Sequence, residues 1–178
     1  GASAFKESVL LDEMELAEGG WFSWYTKDDQ YSKQKLTADL ESLRSFYLNR
    51  GFLEFAVEST QVSISPDKED VYITINVIEG ERFQVTSVKL AGDFSIPEEE
   101  LKSLVTIKAG DVFSRDKLNE STKAISDRLG KEGYAFANVN AAPEIDKEKH
   151  QVAFTVFVDP GKRVYVRRIN VTGNTKTR

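Results

Sequence analysis

Catalysis needs titratable or nucleophilic side chains in groups, and this 178-residue chain offers few starting points. It has one histidine, His150, and no cysteine. His150 stands in the charged stretch DKEKHQ, where a solvated imidazole is the ordinary outcome, and a serine–histidine–aspartate relay would require that ring buried beside a serine. Without thiols there are no disulfides and no thiolate metal sites, a composition that fits an oxidising compartment as well as any other. Glu98, Glu99 and Glu100 follow Pro97. Three acids there read as the first turn of a helix, favoured by its dipole, rather than as an acid–base pair. Gly19 and Gly20 lead into Trp21 and not into a lysine-bearing helix start, so they form no phosphate loop. The expectation is no catalytic centre, no metal and no cofactor.

What the sequence does contain is a repeat. Glu79 to Gly92, EGERFQVTSVKLAG, returns as Asp159 to Asn174, DPGKRVYVRRINVTGN, with Gly80 on Gly161, Val85 on Val166 and Gly92 on Gly173. Each copy follows an alternating run, Val71, Ile73, Ile75 and Val77 in one and Val152, Phe154, Val156 and Val158 in the other. A recurrence of this length marks a supersecondary unit used more than once.

Reading the units through gives their elements. Glu7 to Leu16 reads as a helix with Ser8 as a candidate cap and Val9, Leu10, Met14 and Leu16 as its apolar members. Tyr31 to Arg50 is the clearest helix, with Leu36, Leu40, Leu43 and Tyr47 on one face, Ser32 able to cap it and Gly51 to stop it. Phe113-Ser114-Arg115 opens its counterpart, in which Leu118, Thr122, Ile125 and Leu129 line up and Gly133 closes. After each stop comes an extended segment. In the first, Phe55 and Val57 are odd while Val62 and Ile64 are even, a change of phase that needs a β-bulge between Glu58 and Gln61. In the second, Phe136, Val139 and Ala141 run into Pro143, which belongs at a sheet edge. Turns follow at Ser65 to Lys68 and at Asp146 to Lys149.

Each unit therefore reads β-α-α-β-β, an α+β fold with a three-stranded mixed sheet covered on one face by two helices. The last two strands form an antiparallel hairpin, the first lies parallel to its neighbour, and the regular alternating strand takes the centre. The bulged strand is left at an edge, with unpaired main-chain groups that an added strand could take. That edge, Val57, Glu58, Ser59, Thr60, Gln61, Val62 and Ser63, is the candidate binding site. A second candidate contact is Trp21, Phe22 and Trp24 in the inserted stretch EGGWFSWYTKDDQ, which serves either as a surface for a partner or as a lid on the local core.

The net charge is −5, and six of the 24 basic side chains fall in the last 18 residues, with no acid among them. The acidic remainder argues against nucleic acid as partner. The basic end suits an acidic partner or anionic lipid, or belongs to a strand separated from the unit that would balance it. No apolar run approaches the roughly 18 residues that a helical membrane span needs, and no signal peptide is evident. The expectation is a soluble piece of a mature protein.

The phrases YSKQKLTADLESLRSFYLNRGF, STQVSISPDK, INVIEGERF, GYAFANV and DPGKRVYVRRINVTGN, in this order, resemble the POTRA (polypeptide-transport-associated) domains of the bacterial outer-membrane β-barrel assembly machinery. The resemblance covers the entire chain. It implies a repeat lacking its first strand over 1–79, a complete repeat over 80–160 and the first strand of another over 161–178. It further implies a periplasmic arm, attached to the outer membrane through a C-terminal barrel outside this sequence. That arm would bind unfolded β-barrel precursors and dock accessory lipoproteins, one like BamB at the first unit and one like BamD through the following repeat. The alternatives are a passive spacer for lipoproteins, or the POTRA module of a two-partner secretion or cell-division protein. Because Arg163 to Val171 repeats the strand that the first unit lacks, a strand-exchanged oligomer is a further expectation.

Overall fold

The structure, a computed structural model, describes residues 2–14, 29–64, 66, 71–165 and 168. Helix α1 is Glu7–Leu11 and α2 is Asp29–Leu48. Strands β1 (Ala56–Ile64) and β2 (Val71–Ile78) follow, then β3 (Gln84–Gly92), α3 (Glu98–Ser103), α4 (Arg115–Lys131), β4 (Asn138–Asp146) and β5 (Gln151–Asp159). No described helix is long and apolar enough to cross a membrane.

The second unit shows the full plan. Its sheet runs β3-β5-β4, with β3 parallel and β4 antiparallel to the central β5. The expected order and directions hold. Val152, Phe154, Val156 and Val158 of β5 are all buried, because both of its neighbours and the helix layer cover their face. Ser114 caps α4, its side chain accepting from Lys117 N at 3.4 Å. Ile125 and Leu129 are buried as the spacing predicts, but Ser121 rather than Thr122 completes the stripe. Its hydroxyl is satisfied there, donating to Lys117 O at 2.7 Å and accepting from Thr106 N at 2.9 Å. One irregularity went unpredicted. The register of β3 against β5 shifts between Val85 and Ser87, leaving Thr86 as an extra residue.

In the first unit β1 and β2 form an antiparallel pair, a two-stranded sheet among the described residues. Leu43, Phe46, Tyr47, Phe52, Phe55 and Val77 make its core, with Phe5, Leu10, Val57 and Ile75 packed against it. Both helix starts differ from expectation. Helix α2 begins at Asp29, so Ser32 lies inside it, and α1 begins after Lys6 with no side-chain cap, so Ser8 lies inside too. Helix α1 also ends at Leu11, well short of Leu16, which is outside the described residues. Gly51, at φ +100°, provides the left-handed stop, and Phe52 N donates back to Tyr47 O at 3.1 Å.

The units meet through a shared joint. Leu48 of α2 and Phe83 lie in one cluster with Val85, Ile107, Phe113, Val152 and Phe154 of the second unit. Phe83 N donates to Gly51 O (2.8 Å) and Phe113 N to Phe83 O (3.0 Å). Asn49 reaches across from the end of α2 to the first turn of α4, its Oδ1 accepting from Asp116 N at 2.9 Å and its Nδ2 donating to Asp116 Oδ2 at 2.5 Å. Arg115 donates to Ser45 Oγ, and Lys147 pairs with Glu54 at 2.5 Å. Part of this pattern recurs one unit later. Arg82 Nε donates to Arg50 O at 2.9 Å, and Arg163 Nε donates to Glu132 O at 2.7 Å. Likewise Val164 N donates to Gly133 O, as Phe83 N does to Gly51 O.

Candidate functional site: the outer edge of the first sheet

The register of β1 against β2 shifts between Val57 and Ser59, so Glu58 is the extra residue of a bulge. It falls at the start of the predicted window. Beyond it the ladder is regular, with Ser59 opposite Asn76, Thr60 opposite Ile75, Gln61 opposite Thr74, Val62 opposite Ile73 and Ser63 opposite Tyr72.

Which of these residues turn their N–H and C=O outward follows from the second sheet. There Val152 O accepts from Thr86 Oγ1 (3.3 Å), Val158 O from Asp93 N (3.1 Å) and His150 O from Gln84 N (3.0 Å). The even-numbered residues of β5 therefore point their main chain at β3. The β4 residues opposite them, Val139, Ala141, Pro143 and Ile145, form non-hydrogen-bonded pairs and face away from β5. In an L-residue strand, the face a side chain takes also determines which side its main-chain groups take. Ile73, Ile75 and Val77 share the helix-side face with Phe154, Val156 and Val158. Thr60 and Val62 of β1 thus point their main-chain groups to the open edge, while Ser59, Gln61 and Ser63 bond to β2. Asn76 Nδ2 donates to Ser59 Oγ at 2.8 Å, fastening the outer face next to the bulge. Among the described residues, no main-chain group outside β2 bonds to β1.

The seven predicted site residues are therefore brought together, in three roles: Thr60 and Val62 outward, Ser59, Gln61 and Ser63 inward, and Val57 and Glu58 at the bulge. The side chain of Val62 is on the helix side yet 46 % exposed, so an apolar surface accompanies the open edge. Trp21, Phe22 and Trp24 lie outside the described residues.

Behind this edge is a polar lock that sequence reasoning missed. Glu79, directly after β2, is 8 % exposed. Its Oε2 accepts from Ser3 N and Ser3 Oγ, both at 2.8 Å, and from Ala4 N at 3.1 Å, while Tyr47 OH donates to Oε1 at 2.7 Å. Burial alone would raise the carboxyl's pKa. The hydrogen bonds from Tyr47, Ser3 and Ala4 outweigh burial and hold it below its ordinary value. Burial, reinforced by the neighbouring carboxylate, pushes the Tyr47 hydroxyl well above the usual phenol range. The lock ties residues 3–5 across the end of the sheet, and Phe5 stacks edge-on with Phe46, Tyr47 and Phe52. The repeat held a signal for it. The positions matching Tyr47 and Glu79 in the second unit are Leu129 and Pro160, so the polar pair belongs to the first unit alone.

The residues first considered for chemistry have structural roles. Glu98 and Glu99 pair with Lys102 at 3.0 and 3.3 Å, and Glu100 accepts from Arg128 at 2.6 Å. His150 is exposed, at φ +51°, with its ring edge-on to Phe83 at 5.8 Å. Among the described residues no group of histidine and carboxylate side chains is arranged to hold a metal.

The POTRA family model (surface antigen variable number repeat) matches the chain twice, over residues 1–80 and 83–161. The outer membrane protein assembly factor BamA of Neisseria meningitidis serogroup B is 34% identical over 100% of this chain and 22% of its own length. The protein of that name from Buchnera aphidicola is 31% identical over 99% of this chain and 29% of its own. The chain thus spans roughly a quarter of the length of these curated relatives. A crystal structure of Haemophilus influenzae BamA POTRA3-5 superposes with a TM-score of 0.82 at 31% identity, covering 99% of this chain and 69% of that one.

Proposed function

The chain belongs to the POTRA family, and from that premise we propose that it is part of the periplasmic arm of an outer-membrane protein assembly factor of the BamA type. In this reading the arm is carried by a membrane barrel outside this sequence, and it does no catalysis. It takes unfolded β-barrel precursors by strand addition on β1 and docks accessory lipoproteins, a BamB-like one at the first unit and a BamD-like one through the repeat that 161–178 begins.

One observation carries the mechanism: the outward N–H and C=O groups of Thr60 and Val62 on a strand whose ladder the Glu58 bulge interrupts. Main-chain pairing is indifferent to side-chain identity, which suits clients that are many and unlike. A ladder of a few residues keeps binding weak and reversible and limits edge-to-edge aggregation. The test is a photoreactive residue at Thr60 or Gln61, with the arm in its native machinery. Capture of nascent barrel precursors is expected. Capture of accessory lipoproteins alone would favour a passive spacer.

The match between 161–173 and 80–92 supports a second proposal, that the basic end segment of one copy pairs with β2 of another. Scattering should then show a mass that grows with concentration. A monomer at every concentration removes it.

A further inference from the structure

The two units carry the same edge strand, and position for position the edges differ in one decisive place. Pro143 stands opposite Phe154, and Val62 opposite Ile73 is its counterpart, since Phe154 and Ile73 match in the repeat. Phe154 turns its main chain toward β3, so the nitrogen of Pro143 faces the open side of β4. A proline there costs the sheet nothing, because the ladder to β5 asks no donor of that residue. It does interrupt the outer row of donors between Ala141 and Ile145 and places ring atoms where a guest carbonyl would have to sit. Val62 has the same orientation and keeps its N–H.

We propose that the two edges are not equivalent: Pro143 closes β4 to strand addition, and Val62, at the matching place in β1, makes that edge the receptive one. The proposal rests on the strand-addition reading above and specifies it. The guest ladder is centred on Thr60 and Val62, ended on one side by the Glu58 bulge. A guest residue paired with Val62 projects its side chain to the helix side, beside the half-exposed Val62 side chain. The favoured guest is therefore an extended segment of alternating apolar and polar residues, its apolar side turned toward the helices.

The experiment titrates the isotope-labelled chain with an end-blocked octapeptide of alternating valine and threonine, following amide shifts along β1 and β4. The unaltered chain is expected to bind the peptide with shifts along β1 and none along β4. Pro143→Val should add a second site with shifts along β4. Val62→Pro should weaken β1 binding by at least about tenfold while the rest of the spectrum stays folded, because that nitrogen makes no bond to β2. A site along β4 in the unaltered chain, or no site along β4 in Pro143→Val, overturns the proposal and leaves strand addition on β1 standing. Binding at neither edge of the unaltered chain overturns the strand-addition reading and the proposal with it. Pro143→Val relieves a restriction and threatens no ladder bond, so the question stays decidable even if Val62→Pro fails to fold.

Discussion

Glu79 is a buried carboxylate in the first unit, where the second unit has a proline, and its four donors come from Ser3, Ala4 and Tyr47, all far from it in sequence. Replacing it with glutamine preserves the shape but removes the charge and gives Oε2 or its substitute two hydrogens facing donors. Glu79→Gln should cost about 1.5–3 kcal/mol in urea unfolding at neutral pH. Its pH signature separates it from an ordinary packing defect. The folded carboxyl titrates below its ordinary value of 4.5, so the unfolded chain binds the proton first. The stabilisation is therefore complete above 4.5 and is lost as pH falls through the lower folded value. The difference between the unaltered chain and Glu79→Gln should be largest at neutral pH and shrink as the solution is acidified below 4.5. A difference that stays constant across that range would mean the carboxylate is not the stabilising species. Tyr47→Phe tests the other side of the bond. It leaves a buried Oε1 without its phenol donor, and about 1–3 kcal/mol should go with it.

At the scale of elements, much of the fold was readable because alternation and glycine stops are local signals. Val152 to Val158 could only be a strand buried on one face, and Gly51 and Gly133 stop the two long helices as their spacing requires. The bulge was legible twice, from the phase change between Val57 and Val62 and from the repeat itself. The offset is 82 at Gly51 and Gly133 but 81 at Gly80 and Gly161, so the first unit holds one more residue between them. What was not legible depends on partners distant in sequence. Ser8 and Ser32 look like caps, but the helices begin a turn earlier in one case and without a cap in the other. The outward turn of Pro143 is fixed only by which strand bonds to β5. Asn49 follows a helix end and gives no sign that it caps a helix in the next unit. That long-range cap makes a prediction at this scale. Asn49→Ala should cost about 1–2 kcal/mol, the value of an N-terminal cap. In a double-mutant cycle with Asp116→Ala the two should couple by roughly 0.5 kcal/mol or more. Additive effects would mean the side-chain pair contributes nothing beyond the backbone contact.

The molecule as a whole is two small units, each too thin to bury much alone, joined by residues that belong to both. Leu48 ends the long helix of the first unit yet packs in the core of the second, and Phe83, fully buried, bonds to the first unit through its N–H and to the second through its carbonyl. Gly51 lies so close to this joint that an added Cβ would stand 2.6 Å from Val112 Cγ1. A shared apolar core transmits unfolding from one unit to the other, whereas ion pairs such as Lys147–Glu54, largely exposed, add little. The intact chain is therefore expected to melt in a single calorimetric transition, with the van't Hoff enthalpy matching the measured one. Phe83→Ala should remove about 3–5 kcal/mol and break that agreement, giving two resolved transitions as each unit melts on its own. A single transition at lower temperature would instead show that the Asn49–Asp116 bridge and the main-chain bonds at Gly51 suffice to couple the units. Under the proposed strand addition at β1, the coupling would bear on function. It would hold β1 at a fixed attitude to the next unit, so that a guest strand there would be presented in one orientation.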